Sequence, residues 1–136
     1  MHYSDRISAV VDNVGISNFV SFLENTQDYR RDRRRQEYGD ERDPEMRAHL
    51  ERISPLNNVS HIAVPMFIVQ GQNDPRVPVT EATQMVEALR ERGQSVWFMN
   101  ALNEGHGYRK RENRDIMQQV MTMFLRQHLA GADTTR

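Results

Sequence analysis

Asp74 and His106 are the two titratable residues whose settings could support chemistry. Asp74 lies in Gly71-Gln72-Asn73-Asp74-Pro75, directly after the apolar run Met66 to Gln70. His106 lies between Gly105 and Gly107, just beyond the run Ser95 to Ala101. A carboxylate can accept a hydrogen bond from one imidazole nitrogen, fix the tautomer and stabilise the imidazolium, while the other nitrogen deprotonates a hydroxyl. Plainer readings stand beside this one. Asn-Asp-Pro is ordinary turn chemistry, and an Asp after a strand often caps the turn. Gly-His-Gly can be a solvent loop or a metal-ligating loop.

The elements that must carry these residues can be read from the spacing of apolar side chains. Ile7 to Val14 reads as a short buried strand ending at Gly15, and Asn18 as the cap of a helix carrying Phe19, Phe22 and Leu23. Tyr29 to Asp43 mixes Arg30, Arg31, Arg33, Arg34 and Arg35 with acids that nearly cancel the arginines, which predicts a solvated helix or loop face. A helix begins near Asp43-Pro44, with Met46, Leu50 and Ile53 on one face, and stops at Ser54-Pro55. Leu56 to Val64 reads as a loop. Met66 to Gln70 is apolar enough for a strand buried on both faces. From Thr80 a helix places Ala82, Met85, Val86 and Leu89 together, with Gly93 at its C-terminal cap. After the strand Ser95 to Ala101, a helix over Glu112 to Leu129 presents Ile116, Val120 and Phe124 beside Met117, Met121 and Leu125. Residues 130–136 form a polar tail.

Strands alternating with helices through short loops predict an α/β fold with a mostly parallel sheet of about three strands flanked by helices. In such sheets, catalytic groups gather at the carboxyl ends of the strands. Two strands joined by one helix are expected to be neighbours, so Asp74 and His106 should meet at one sheet edge.

Composition narrows the function classes. The chain has 136 residues, enough for one domain, and a formal net charge of -1, which excludes a globally basic nucleic-acid binder. It contains no cysteine, which excludes disulfides and Cys-ligated zinc. No apolar run approaches membrane-spanning length, and the first residues lack the apolar core of a signal peptide. The expectation is a soluble, cytoplasmic protein without membrane or nucleic-acid partners and without a cofactor or bound metal. Lys110 is the single lysine among 18 basic residues. Coding bias accounts for that, although arginine is also the better residue for gripping carboxylates.

Three segments carry a family resemblance. Val69-Gln70-Gly71-Gln72-Asn73-Asp74-Pro75-Arg76-Val77-Pro78-Val79 resembles the segment bearing the triad aspartate of the prolyl oligopeptidase family of serine peptidases. Asn103-Glu104-Gly105-His106-Gly107-Tyr108 resembles its triad histidine loop, and Ser54-Pro55-Leu56-Asn57 the stretch before the aspartate strand. The similarity runs roughly from Tyr3 to Leu129 and is strongest toward acyl-peptide hydrolase and dipeptidyl peptidase-like members. It implies the C-terminal portion of an α/β-hydrolase domain over residues 1–129, with Asp74 and His106 as the catalytic acid and base. The chain order of that fold, nucleophile then acid then histidine, agrees with the positions of both. The resemblance also implies a peptide or acyl-peptide substrate. It places Ile16, Phe19 and Phe22 where the family builds an apolar specificity pocket, with plain core packing as the alternative. Arg76 and Val77, beside Asp74, are candidates for the site mouth, and Arg76 could meet a substrate carboxylate or an internal acid.

The family's nucleophile sits in a Gly-x-Ser-x-Gly elbow, a string this sequence does not contain. Gly15-Ile16-Ser17-Asn18-Phe19 approaches it but lacks the second glycine, and Ser17 reads as a loop residue or helix cap. The expectation is therefore a chain that is inactive alone. An edge strand without its neighbour would favour a homo-oligomer or a partner chain covering it. The competing expectation is a truncated, non-catalytic hydrolase fragment acting as an assembly or binding module.

Overall fold

Met66–Gly71 forms β2, and all six of its residues are buried. Its side chains alternate between two cores. Met66 and Ile68 join Ile62, Ala82, Met85, Val86 and Leu89 on one face, while Phe67 and Val69 join Ala101, Tyr108 and Phe124 on the other. That two-sided burial explains why the run is continuously apolar. The computed structural model describes residues 6–129; the tail over 130–136 lies outside them.

Strands β1 (Val10–Asn13) and β3 (Val96–Ala101) pair in parallel with β2 on either side, giving the order β1-β2-β3. Val10 stands opposite Met66, which stands opposite Val96. β1 is shorter than the expected span of Ile7 to Val14. Pro65 precedes β2 and has no N–H to extend the ladder, although its carbonyl still accepts from Val10 at 3.0 Å. At the other end Val14 turns into the left-handed region at φ 56°, which stops the strand.

Helix α4 (Val79–Glu91) crosses from β2 to β3 and buries Ala82, Met85, Val86 and Leu89, the stripe its spacing predicts. Gly93 closes it at φ 69°, a conformation that favours glycine. Helix α5 (Arg111–Leu129) covers the opposite face. Phe124 is fully buried there, with Met117, Val120, Met121 and Leu125 packed around it. Ile116 departs from expectation and is 50% exposed. It lies one residue, about 100°, away from Met117, so it falls on the flank of the contact stripe.

Between β1 and β2 lies a helical lobe. Asn18 caps α1 (Phe19–Asn25) by accepting from the N–H groups of Val20 and Ser21. Asp43 caps α3 (Pro44–Ile53) through the Met46 N–H at 2.8 Å. The arginine-rich stretch resolves as a helix, α2 (Asp28–Tyr38), with none of its residues fully buried. Its end is tied down by Arg35, whose guanidinium grips the buried Glu41, and by Tyr38, which packs on Phe19 and Phe22. The segment expected as a loop after α3 contains 3-10 turns over Pro55–His61.

One buried carboxylate clamps this lobe to the sheet layer. Glu81, in the first turn of α4 and fully buried, accepts from the backbone N–H groups of Ser17 and Asn18 and from the hydroxyls of Ser17 and Ser21. The Ser17 hydroxyl also lies 2.7 Å from the Glu81 carbonyl, and Gln84 donates to both hydroxyls. Ser17 is thus a buried structural residue, while the cap of α1 is its neighbour Asn18.

Candidate active site

The tips of β2 and β3 are laced together by backbone hydrogen bonds. Gln72 donates to Ala101 at 3.0 Å and Asn73 to Glu104 at 2.9 Å, while the Asn73 amide reaches the Leu102 carbonyl. Gly71 makes this possible. A Cβ there would lie 2.1 Å from the Gly105 carbonyl oxygen. Any side chain would force the aspartate and histidine loops apart.

Within this lacing, Asp74 and His106 meet. The Asp74 Oδ2 lies 2.8 Å from the His106 Nδ1. The carboxylate is saturated on its other side, since Oδ1 accepts from the N–H groups of Arg76 and Val77 at 2.8 and 3.1 Å. The Gln70 amide adds a longer contact to Oδ2 at 3.3 Å and donates to the Val77 carbonyl at 3.0 Å. The turn-capping and histidine-orienting readings of Asp74 are therefore both realised, one on each oxygen. An ionised carboxylate only accepts, so Nδ1 carries the proton in this contact. In the neutral ring the Nε2 lone pair is then free. The Asp74 side chain is fully buried, whereas that of His106 is 32% exposed. The acid is held rigid and dry, and the imidazole opens onto a cleft of 290 Å³.

The histidine loop has its own supports. The Tyr108 hydroxyl sits 3.0 Å from the Gln70 carbonyl and 3.1 Å from that of Met99, fastening the loop to both strands. Burial pushes the Tyr108 phenol up, which keeps it a donor. Glu104 is buried and accepts from Asn113 and from the backbone N–H groups of Lys110 and Arg109. The Asn113 amide, aided by those N–H groups against the opposing effect of burial, holds the Glu104 carboxyl below its usual range. Glu104 thereby ties the His106 loop to the start of α5.

The other sequence candidates separate into two groups. Arg76 is exposed and lines the cleft with His106, Gly105 and Gly107. Val77 and Phe22 are 6% and 1% exposed and belong to the lobe core with Val20, Leu23 and Leu50. Ile16 and Phe19 pack against that cluster while remaining half-buried. The packing of Phe22 is that of a core side chain. Sequence reading missed Gly71, Gln70 and Glu104. Their signal was positional: each stands at the tip of a strand or in its loop, where close approach and hydrogen bonding are decided by the partner strand. Among the described residues no cluster of His, Asp and Glu suits a metal ion, and no helix is long and apolar enough to cross a membrane.

Comparison with known proteins gives this geometry its context. The chain is 36% identical over 125 residues to dipeptidyl peptidase family member 6 of Caenorhabditis elegans, a match covering 89% of this chain and 17% of that protein. It is 33% identical over 130 residues to dipeptidyl aminopeptidase BIII of Pseudoxanthomonas mexicana, covering 93% and 19%. It therefore spans less than a fifth of these relatives. Its fold superposes on a puromycin-hydrolysing peptidase of Mycobacterium tuberculosis with a TM-score of 0.87 at 27% identity, covering 94% of this chain and 19% of that one. An acylaminoacyl peptidase of Pyrococcus horikoshii shares the fold at a TM-score of 0.84 and 19% identity, covering 95% and 21%. The three parallel strands and their helices are thus part of an α/β-hydrolase peptidase fold. A family model described as the prolyl oligopeptidase family matches residues 1–132, and the chain belongs to that family.

Proposed function

We propose that this chain supplies the acid and the base of a serine-peptidase triad that cleaves peptide or acyl-peptide bonds. The observation that carries the reading is the 2.8 Å contact between Asp74 Oδ2 and His106 Nδ1, with the carboxylate otherwise saturated and the imidazole open to a cleft. His106 Nε2 would take the proton of a serine hydroxyl as its oxygen attacks the substrate carbonyl carbon. Nε2–H would then protonate the leaving amine as the C–N bond breaks, and water would repeat the sequence to release the acid. Asp74 would hold the tautomer and stabilise the imidazolium throughout. In this reading the nucleophile is not Ser17, whose hydroxyl is buried and engaged with Glu81 and Gln84. The serine and its oxyanion hole are contributed by residues outside these 136, and the chain is inactive by itself. Ile16 and Phe19 are proposed as one wall of the substrate pocket.

A fluorophosphonate probe tests this directly. It should label a peptidase that carries this segment together with a Gly-x-Ser-x-Gly elbow, and His106→Ala there should abolish the labelling. Labelling of the 136-residue chain alone would overturn the assignment of the nucleophile.

A second reading, an assembly or binding module, draws on one observation. Among the described residues the outer edge of β1 is unpaired, and Ile116 and Met123 of α5 are 50% and 60% exposed. Unpaired strand edges and apolar faces favour association. This reading expects a homo-oligomer or a partner chain, and a monomer by light scattering at micromolar concentration would remove it. Cytoplasmic residence is carried with either reading and is open to cell fractionation.

A further inference from the structure

We infer that the cleft beside His106 recognises a carboxylate on the peptide, so that the preferred substrates are acidic; the inference rests on the peptidase reading above. Three separate segments send arginines to this place. Arg76 comes from the loop after β2, Arg109 from the loop before α5 and Arg30 from α2, and all three line the same cleft as His106. A second cleft of 650 Å³ shares Arg30 and Arg76 in its wall and extends along α2 past Arg33, Arg34 and Gln36 to Glu37, the one acid of its lining. The two clefts meet at Arg30 and Arg76, and arginines outnumber acids in both linings.

Among the described residues, Arg30, Arg33, Arg76 and Arg109 differ from Arg31, Arg34 and Arg35 in having no carboxylate partner. Arg31 pairs with Asp28, Arg34 with Glu37, and Arg35 with Asp32 and Glu41. Among the described residues, the guanidiniums of Arg33, Arg76 and Arg109 contact no carboxylate. Among the same residues the Arg30 guanidinium meets only Tyr29, through its hydroxyl at 2.8 Å and its ring face at 5.0 Å. Three acids of the same segments are engaged elsewhere. Glu37 holds Arg34, Glu104 caps the start of α5, and Asp74 holds His106 and two backbone N–H groups.

The fold brings the segments that carry these cations to one cleft. The Thr26 hydroxyl donates to the Arg76 carbonyl at 2.9 Å, pinning the start of α2 to the aspartate loop. Guanidiniums held together without counter-charges repel one another, and an arriving carboxylate relieves that repulsion while accepting paired hydrogen bonds from the fork. A backbone amide can do only the second. The carboxylate could be an acidic side chain or the free C-terminus of a short peptide. Both have the required chemistry.

The test is calorimetric titration of this chain at low salt with three peptides: acetyl-Ala-Glu-Ala-amide, acetyl-Ala-Gln-Ala-amide and acetyl-Ala-Gln-Ala with a free C-terminus. At least one carboxylate-bearing peptide should bind tenfold or more tightly than the neutral one, and which of the two does so identifies the source. The advantage should shrink with added salt and disappear in Arg33→Gln/Arg76→Gln. Those side chains have no acidic partner among the described residues, so the melting temperature should hold; Arg109→Gln provides an independent second variant. Equal affinity for all three peptides, binding of none, an advantage that survives both variants, or stronger binding of an oligothymidylate would each overturn the inference. The measurement needs no nucleophile. Its failure would leave the triad reading standing, whereas failure of the fluorophosphonate test would remove the substrate role and leave only the measured carboxylate binding.

Discussion

The Gly71 Cα and the Gly105 carbonyl are packed so closely that a methyl group on the first would lie 2.1 Å from the oxygen of the second. The contact brings the strand tips within reach and lets Asp74 and His106 meet. Gly71→Ala should therefore act on the site through the backbone. The variant is expected to lose about 1–3 kcal/mol of stability and to weaken the Asp74–His106 hydrogen bond. Thermal melting measures the first. The downfield proton resonance of His106 Nδ1–H should broaden or vanish and reports the second.

Asp74→Asn should have two separable effects. An amide offers one acceptor oxygen where the carboxylate accepts from Arg76, Val77, Gln70 and His106. Leaving buried donors unmatched costs about 1–3 kcal/mol, which chemical denaturation of this chain would show. In a peptidase carrying the segment, the wrong imidazole tautomer should lower kcat by about 10⁴-fold with little change in KM. A loss confined to KM would contradict the assigned role.

Glu81→Ala should be among the most damaging single substitutions in the chain. It removes the acceptor for two backbone N–H groups and two hydroxyls at the junction of α1 and α4. A loss of about 3 kcal/mol or more is expected. Ser17→Ala deletes only one of the donors and should cost about 1 kcal/mol. Urea unfolding of both variants checks the ratio.

The pH dependence of stability has a definite sign. The Arg35 guanidinium beside Glu41 holds that carboxyl below its ordinary value, and the Asn113 amide does the same for Glu104. A lowered acid contributes stability that is present above its unfolded pKa, 4.5 for both glutamates, and is lost as pH falls through the folded value. Burial pushes the Asp12 carboxyl up from 3.8. Its contribution runs the other way, being full below 3.8 and lost as pH rises through the raised value. Melting temperature should thus fall on acidification below about pH 4.5, and Glu41→Gln should flatten that fall. Asp12→Asn should improve stability at neutral pH relative to the wild type. A melting profile unchanged by either substitution would refute the scheme.

Local spacing in the sequence was sufficient for most of the elements. The buried run Met66 to Gln70, the stripe of α4, the cap at Asn18, the helix start at Asp43-Pro44 and the glycine after α4 are all set by interactions within a few residues, and each formed as the pattern requires. The pairing of Asp74 with His106 could also be anticipated, because one helix joins their strands and parallel neighbours share an edge. Other features depended on groups distant in the chain. β1 was cut short by Pro65, which only the sheet places opposite its start, and Ile116 was left outside by the way α5 settles on β2 and β3. Gly71, Gln70 and Glu104 have no local signature, since the atoms that constrain them lie on another loop. The same holds for the arginines. In the sequence Arg30 to Arg35 are nearly cancelled by neighbouring acids, but folding pairs Arg31, Arg34 and Arg35 and sets Arg30 in the cleft of His106 beside Arg76 and Arg109, where their guanidiniums contact no carboxylate among the described residues. Charge balance is a property of composition, whereas which charges meet is decided by tertiary contact.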